Sequence, residues 1–203
     1  MKRKSVLIVA ASGAMVLSVA LLPGVAADNE PAKAETYKID SVHSTTVFRI
    51  KHSNVSYFWG RFNAISGTVA YSPSAPEATA FDVTIRTDSI DTANPGRDNH
   101  LKGPDFFNAK QFPTMTFKSK SAKRTGESKV DVTGDLTIHG VTKEVTIPIV
   151  CTGSGKGRGG GALVGFETMF TINRSDYGMK YMVGPLGDDV RVVVAIEAGT
   201  GQR

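Results

Sequence analysis

Residues 130–151, "VDVTGDLTIHGVTKEVTIPIVC", alternate with a period of two on both sides of a two-residue break. Val130, Val132, Leu136 and Ile138 oppose Asp131, Thr133, Asp135 and Thr137, so one face is apolar and the other is wet. The break is His139-Gly140, a tight hairpin signal in which Gly140 tolerates a positive φ at no steric cost. A link that short joins antiparallel neighbours and leaves no room for a crossover helix.

The same period runs outward through most of the chain. It predicts strands at His43–His52, Arg61–Tyr71, Ala80–Ile90, Thr114–Ser121, Lys129–Ile138, Val141–Cys151, Ala162–Ile172 and Asp188–Ala198, with 37–39 as an extension of the first. Phe81, Val83 and Ile85 oppose Asp82, Thr84 and Arg86, and Val190, Val192, Val194 and Ile196 oppose Arg191 and Glu197. Eight antiparallel strands with one apolar face pack as a sandwich or close as a barrel. A barrel of eight has an interior that side chains fill or that holds one small ligand.

Residues 152–161, "TGSGKGRGGG", read as a long glycine hairpin loop. They do not form a phosphate loop, since Val150 stands five residues before Gly155 and Gly157 follows Lys156. Cys151 continues the alternation of Val145, Ile147 and Ile149 and is expected to be a buried thiol. As the sole cysteine it makes no intramolecular disulfide.

Helical material is expected only at about 94–112. Pro95 suits a first helical turn in "NPGRDNHL", and "GPDFFNAKQF" (103–112) could add a second short turn before Pro113 stops it. Two readings of its polar cluster stand side by side. Asp98 can favour the helix dipole while Arg97 pairs with a carboxylate on the rim; alternatively, Arg97 and His100 are donors to the head group of something bound inside. Phe106, Phe107 and Phe112 are expected to pack over the barrel end, where three aromatics find a dry place.

The basic start Met1-Lys2-Arg3-Lys4, the apolar run at 6–22 and the small residues ending at Ala27 read as a cleavable secretory signal peptide over 1–27. A periplasmic or secreted location follows as an expectation. The polar stretch 28–36 reads as a flexible lead-in and 37–200 as a single domain with a real core. The formal charge is +5, but Lys2, Arg3 and Lys4 belong to the leader, so the remaining chain is close to neutral and no nucleic-acid partner is expected.

Catalytic signatures are lacking. His43 and His52 stand at opposite ends of one expected strand, about 30 Å apart, and His139 sits in a turn, so no metal site is expected. No G-x-S-x-G elbow occurs, and Cys151 has no neighbouring histidine in sequence. No cofactor is expected.

The segments "YKIDSVHSTTVFRIKH", "GRFNAISGTV", "RDNHLKGPDFFNAKQFPTMTF", "GDLTIHGVTKEVTI" and "FTINRSDYGM", in that order, resemble the YceI family of bacterial exported lipid-binding proteins from about Tyr37 to Ala198. The resemblance implies an eight-stranded antiparallel, lipocalin-like barrel with an inserted helical segment. It also implies an apolar cavity for long isoprenoid or other amphiphilic lipid chains, and no catalysis. Phe48, Ile50, Phe81, Val83, Ile85, Phe117, Leu136, Ile138, Phe166, Phe170, Val192 and Val194 would suit an aliphatic chain as cavity lining. Transient membrane contact and homodimerisation are compatible with this reading. Two alternatives stand beside it: an enzyme acting on a lipid head group through His100 and Asp98, and a ligand-free interaction module whose barrel is filled by its own side chains.

Overall fold

The computed structural model describes residues 34–201, so the leader expected at 1–27 and most of the lead-in expected at 28–36 lie outside the described residues. In chain order the strands are β1 (Glu35–Ile39), β2 (Thr45–His52), β3 (Ser56–Phe62), β4 (Ile65–Tyr71), β5 (Ala80–Arg86) and β6 (Ile90–Asp91). Helix α1 (Pro95–Leu101) follows, then β7 (Thr114–Arg124), β8 (Lys129–Ile138), β9 (Val141–Lys156), β10 (Ala162–Asn173) and β11 (Leu186–Gly199). β1 begins at Glu35, inside the stretch expected as lead-in.

The deciding hairpin forms as its pattern dictates. Ile138 pairs with Val141, and both turn residues are left-handed, His139 at φ 51° and Gly140 at φ 76°. Such primed turns match the twist of the flanking strands. Gly140 is needed for a second reason: a Cβ there would come within 2.4 Å of the Phe112 ring.

Pairing runs β1-β4-β5-β7-β8-β9-β10-β11, and β11 returns to β1 through Ile39 opposite Ala198. The wall is therefore a closed barrel of eight antiparallel strands. The other three segments complete broken wall strands. β2 continues β1 along β11, β3 precedes β4 and pairs with β2, and β6 follows β5 and pairs with β3. Each wall strand lies beside the next in sequence, the up-and-down order that short links impose.

The expected strands appear with three corrections. Arg61–Tyr71 is divided at Asn63-Ala64, and Ala80–Ile90 is interrupted by a 3-10 turn at Thr87–Ser89. The glycine segment 152–161 is mostly strand: Leu163, Val164 and Gly165 pair with Gly155, Ser154 and Gly153, which leaves a turn of 157–161 only. Backbone hydrogen bonds suffice where a hairpin extends beyond the core, so apolar alternation does not report it. In the insertion, Asn94 caps α1 by accepting from the Arg97 N–H at 2.9 Å, with Pro95 behind it. No helix follows; 103–112 is a chain of turns, with the N–H groups of Phe106 and Asn108 both donating to the Gly103 carbonyl.

One half of the barrel is packed solid. Val69, Val132 and Ala198 keep no accessible surface, and Tyr71 and Phe81 set ring edges against Phe166, each at 5.2 Å between centroids. Burying each such aliphatic side chain is worth roughly 1.5–3 kcal/mol. At the opposite end the links 53–55, 92–113, 139–140 and 174–185 gather. Asn54 donates to the Gly184 carbonyl at 3.4 Å, and Phe112 meets His139 at 4.6 Å between ring centroids.

Candidate functional site

Above the packed floor the barrel is hollow. The cavity measures about 460 Å³, within the range of small-molecule sites, and its walls are predominantly apolar. Strand alternation aims these walls inward. β2 contributes Phe48 and Ile50, β5 contributes Phe81, Val83 and Ile85, and β7 contributes Phe117. β8 adds Leu136 and Ile138, β10 adds Phe166 and Phe170, and β11 adds Val192 and Val194. All twelve side chains singled out from the sequence thus border one space. Pairing fixes their order around the wall, with Val192 between Phe48 and Phe170.

Their burial is graded. Phe81 and Phe166 are closed in by the floor, whereas Phe48, Ile50, Ile85, Phe170, Val192 and Val194 point inward and still keep surface. An interior packed to normal density would cover them; here they face the hollow.

The mouth is built from α1, the turns after it, the β2–β3 hairpin and the β10–β11 connection. Phe106 is buried among His100 and Tyr181, with ring centroids 5.1 and 5.3 Å away, and Phe107 meets Phe62 edge-on at 5.4 Å. These two rings cover the barrel end as expected. Phe112 does not; it packs against the His139-Gly140 turn and fastens the insertion to the β8–β9 hairpin.

Arg97 and His100 both border the mouth of the cavity. The Arg97 guanidinium meets no rim carboxylate. Its Nε donates to the Thr92 hydroxyl at 2.8 Å, one Nη donates to the Thr92 carbonyl at 2.7 Å, and the group lies 4.2 Å above the Phe58 ring centre. Asp98 turns the same way and accepts from the Thr92 N–H and hydroxyl. His100 Nε2 is 2.9 Å from Asp105. His100 and Asp98, the pair an enzyme would have used, are therefore engaged with different partners.

Several residues of the site gave no sequence signal. Arg174 is buried in the mouth, where it donates to the carbonyls of Met179, Leu186 and Gly187 at 2.8 to 3.1 Å and fixes the β10–β11 connection. Burial pushes its pKa down, and nearby Asp188 opposes that shift. Asp188 accepts from the Ser175 hydroxyl at 2.6 Å and N–H at 2.8 Å, and the hydroxyl bond above all holds its carboxyl below the usual carboxylate range. The partners of Arg174 are backbone groups, which no side-chain motif announces. Met115, Ile147 and Ile149 also line the cavity, as their alternation could have indicated.

Elsewhere, Cys151 is only partly buried, not the enclosed thiol its alternation suggested, because the β9–β10 ladder shifts register beside it. Burial first, and then the phenol's hydrogen bond to the Cys151 sulfur, push the Tyr71 hydroxyl up to about 12. On the outer wall, Asp40, His43 and Glu197 bring ligand-type atoms within 4.8 Å of one another. His43 precedes β2, so the strand that was to separate it from His52 does not contain it.

A closed eight-stranded up-and-down barrel, packed at one end and hollow with apolar walls toward the other, defines a lipocalin-like barrel with room for a small ligand. Within that class the chain belongs to the YceI-like domain family, whose model matches residues 37–198. Protein YceI of Escherichia coli O157:H7 is 39% identical over 168 residues, 82% of this chain and 87% of that protein. The crystal structure of Burkholderia cenocepacia BcnA superposes with a TM-score of 0.72 at 26% identity, covering 79% of this chain and 99% of that one. A polyisoprenoid-binding domain from Saccharophagus degradans, implicated in plant cell wall breakdown, shares the fold with a TM-score of 0.65 at 15% identity, covering 81% and 98%.

Proposed function

We propose that the protein is an exported binding protein that holds a long-chain isoprenoid or similar amphiphilic lipid in the barrel cavity. The observation that carries this reading is the hollow upper half, where inward-pointing Phe48, Ile50, Phe170, Val192 and Val194 keep surface that a filled core would cover. The polyisoprenoid-binding neighbour from Saccharophagus degradans supports the same reading through its fold. At ~0.8 kcal/mol per buried methylene, ten chain carbons contribute about 8 kcal/mol, against an association cost of at least ~4 kcal/mol. A short chain is therefore held weakly and a long one firmly.

Export rests on the leader-like stretch 1–27. Transient membrane contact is supported by the rim, where Val55 is 83% and Met182 51% exposed, beside the also exposed Val183 and Tyr181. Exposed apolar side chains grouped at a cavity mouth suit a surface that touches lipid. No catalytic role is assigned to His100 or Asp98, whose polar atoms are held by Asp105 and Thr92.

Organic extraction of the purified protein followed by mass spectrometry tests this function. A long-chain lipid at near-stoichiometric yield, taken up again unaltered after delipidation, is expected. Absence of any lipid, with no uptake by the delipidated protein, would leave the ligand-free interaction module standing. Chemically altered lipid would leave the enzyme.

A further inference from the structure

The outer wall beside the mouth gathers positive charge that no carboxylate of the protein meets. Phe48 and Ile50 point into the cavity, so Arg49 and Lys51 alternate outward on β2. Pairing sets Arg191 of β11 directly opposite Arg49, which faces Trp59 of β3 on its other side; one outward position nearer the mouth, Lys51 faces Tyr57. Among the described residues Arg49, Lys51 and Arg191 form no ion pair, and exposed Asp189, two residues from Arg191 along β11, joins none of them. Arg61, on the same face, is by contrast held by Asp91 and Asn63. Arg49 leans away from Arg191, its guanidinium 3.8 Å from the centre of the Tyr57 ring and 5.9 Å from that of Trp59, and the Lys51 ammonium is 5.0 Å from the Tyr57 ring. Such stacking orients the cations without neutralising them. A phosphate would do so, since guanidinium forks match its oxygens.

The neighbourhood of the patch points to the form in which phosphate arrives. The aromatic rings that carry the cations are themselves open, Tyr57 at 53% and Trp59 at 51% exposure. The β2–β3 hairpin leads from them straight to the rim, where Val55 is 83% exposed and Asn54 donates to the Gly184 carbonyl beside the exposed Met182 and Val183. A soluble acidic partner would meet the cations and leave these projecting apolar tips in water. A bilayer takes both: the tips enter the acyl boundary while Tyr and Trp rings sit at headgroup level. The spacing agrees. Along the strands the Lys51–Tyr57 row lies ~7 Å from Val55 and the row of Arg191, Arg49 and Trp59 ~13 Å, and a headgroup layer is roughly 5–8 Å thick. With Val55 at the inner edge of that layer, the first row stands at the phosphates and the long arginine side chains of the second reach back to them.

We propose that this face, Arg49, Lys51, Tyr57, Trp59 and Arg191 with Val55 at its tip, docks the protein on the phosphates of an anionic bilayer with the cavity mouth turned toward the lipid. This rests on the lipid-binding function proposed above and gives it a source, a bilayer from which the ligand reaches the cavity without crossing water.

Trp59 is the sole tryptophan of the chain and stands in the patch, so its fluorescence reports docking directly. Binding of the purified protein is measured to vesicles of phosphatidylcholine alone and of an equal mixture of phosphatidylcholine and phosphatidylglycerol. The mixed vesicles should be bound about a hundredfold more tightly, the effect of three cations near an anionic surface, with a blue shift of Trp59 emission, and high salt should abolish the preference. The combined variant Arg49→Gln, Lys51→Gln and Arg191→Gln should lose nearly all of it. If that variant does not fold, Arg191→Gln alone should weaken binding to mixed vesicles about fivefold and leave binding to phosphatidylcholine unchanged. Lys118→Gln, Lys123→Gln and Lys129→Gln combined, all exposed on β7 and β8 across the barrel, should keep the preference. Equal binding of wild type to both vesicles, a preference lost equally in the two combined variants, or Trp59 emission unmoved by binding would overturn the docking face. Binding of soluble polyglutamate as tight as that of mixed vesicles would overturn it in favour of an acidic protein partner. All of these outcomes leave the lipid-binding function intact; that function falls if the delipidated protein takes up no long-chain lipid from cyclodextrin.

Discussion

Replacing Val192 by Trp separates a hollow barrel from a filled one. Val192 lies between Phe48 on β2 and Phe170 on β10, points inward and keeps surface, so an indole there projects into the cavity of about 460 Å³. Over-filling a tightly packed core costs typically about 1–3 kcal/mol, occasionally more; in a hollow the indole displaces nothing, and the expected loss is under ~1 kcal/mol. Ligand binding should suffer much more. If the indole takes the place of about four chain methylenes at ~0.8 kcal/mol each, affinity falls by about 3 kcal/mol, more than a hundredfold. Thermal unfolding of the delipidated variant and its uptake of a long-chain lipid measure the two effects separately. Arg86→Ala is the matched control, since Arg86 points outward and pairs with Asp88 at 2.6 Å on the surface; stability and uptake should change little. A near-native Val192→Trp that binds lipid as well as the parent would refute the placement of the ligand. A large loss of stability, with no ligand found in the parent, would mean that the barrel is its own core.

Three other perturbations address the frame around the cavity. Gly140→Val forces a β-branched residue to φ 76° and drives its Cβ into Phe112, so a loss of about 3 kcal/mol is expected in chemical denaturation, with lipid selectivity unchanged. Arg174→Met leaves three carbonyls in the mouth without their donor; a cost of at least ~2 kcal/mol and faster proteolysis within 178–186 should follow, and unchanged cleavage would assign the loop's order to other contacts. The Asp188 carboxyl is held below its ordinary value, so the stability it lends is fully present above its unfolded-state pKa near 4 and is lost as pH falls through the lower folded value. Urea midpoints followed downward from neutral pH should therefore fall less steeply in Asp188→Asn than in the parent; identical acid limbs would remove Asp188 from the account.

The barrel was legible because its strands are half wet: Asp131, Thr133 and Thr137 face outward, where the two threonines bond across to Thr146 and Thr142, so the inward set stands out by contrast. The same logic brought twelve side chains to one cavity without any structural knowledge. It could not see that three wall strands are broken, at 40–44, at Asn63-Ala64 and at Thr87–Ser89; the inward positions change parity across the last two, from Phe62 to Ile65 and from Ile85 to Ile90, a shift too local to stand out in a long run of alternation. Nor could it see the extended β9–β10 hairpin, which lacks an apolar face to report it. In the mouth the difficulty was one of reach. In sequence Arg97 is open to a rim carboxylate or to a ligand head group, and only folding reveals that Thr92, five residues earlier, accepts from its side chain twice.

Lys38 of β1 stands opposite Gly199 of β11, so the first and last strands of the described chain run side by side on the packed floor. Neighbouring strands are about 4.8 Å apart, which makes the two ends of the barrel's chain near neighbours on the side remote from the mouth. Tethered to a bead or an electrode through either end, the barrel would present its opening outward and leave the rim unobstructed. Reporters placed at both ends would sense each other but not the passage of a ligand, so a biosensor built on this scaffold would have to carry its signal in the rim connections.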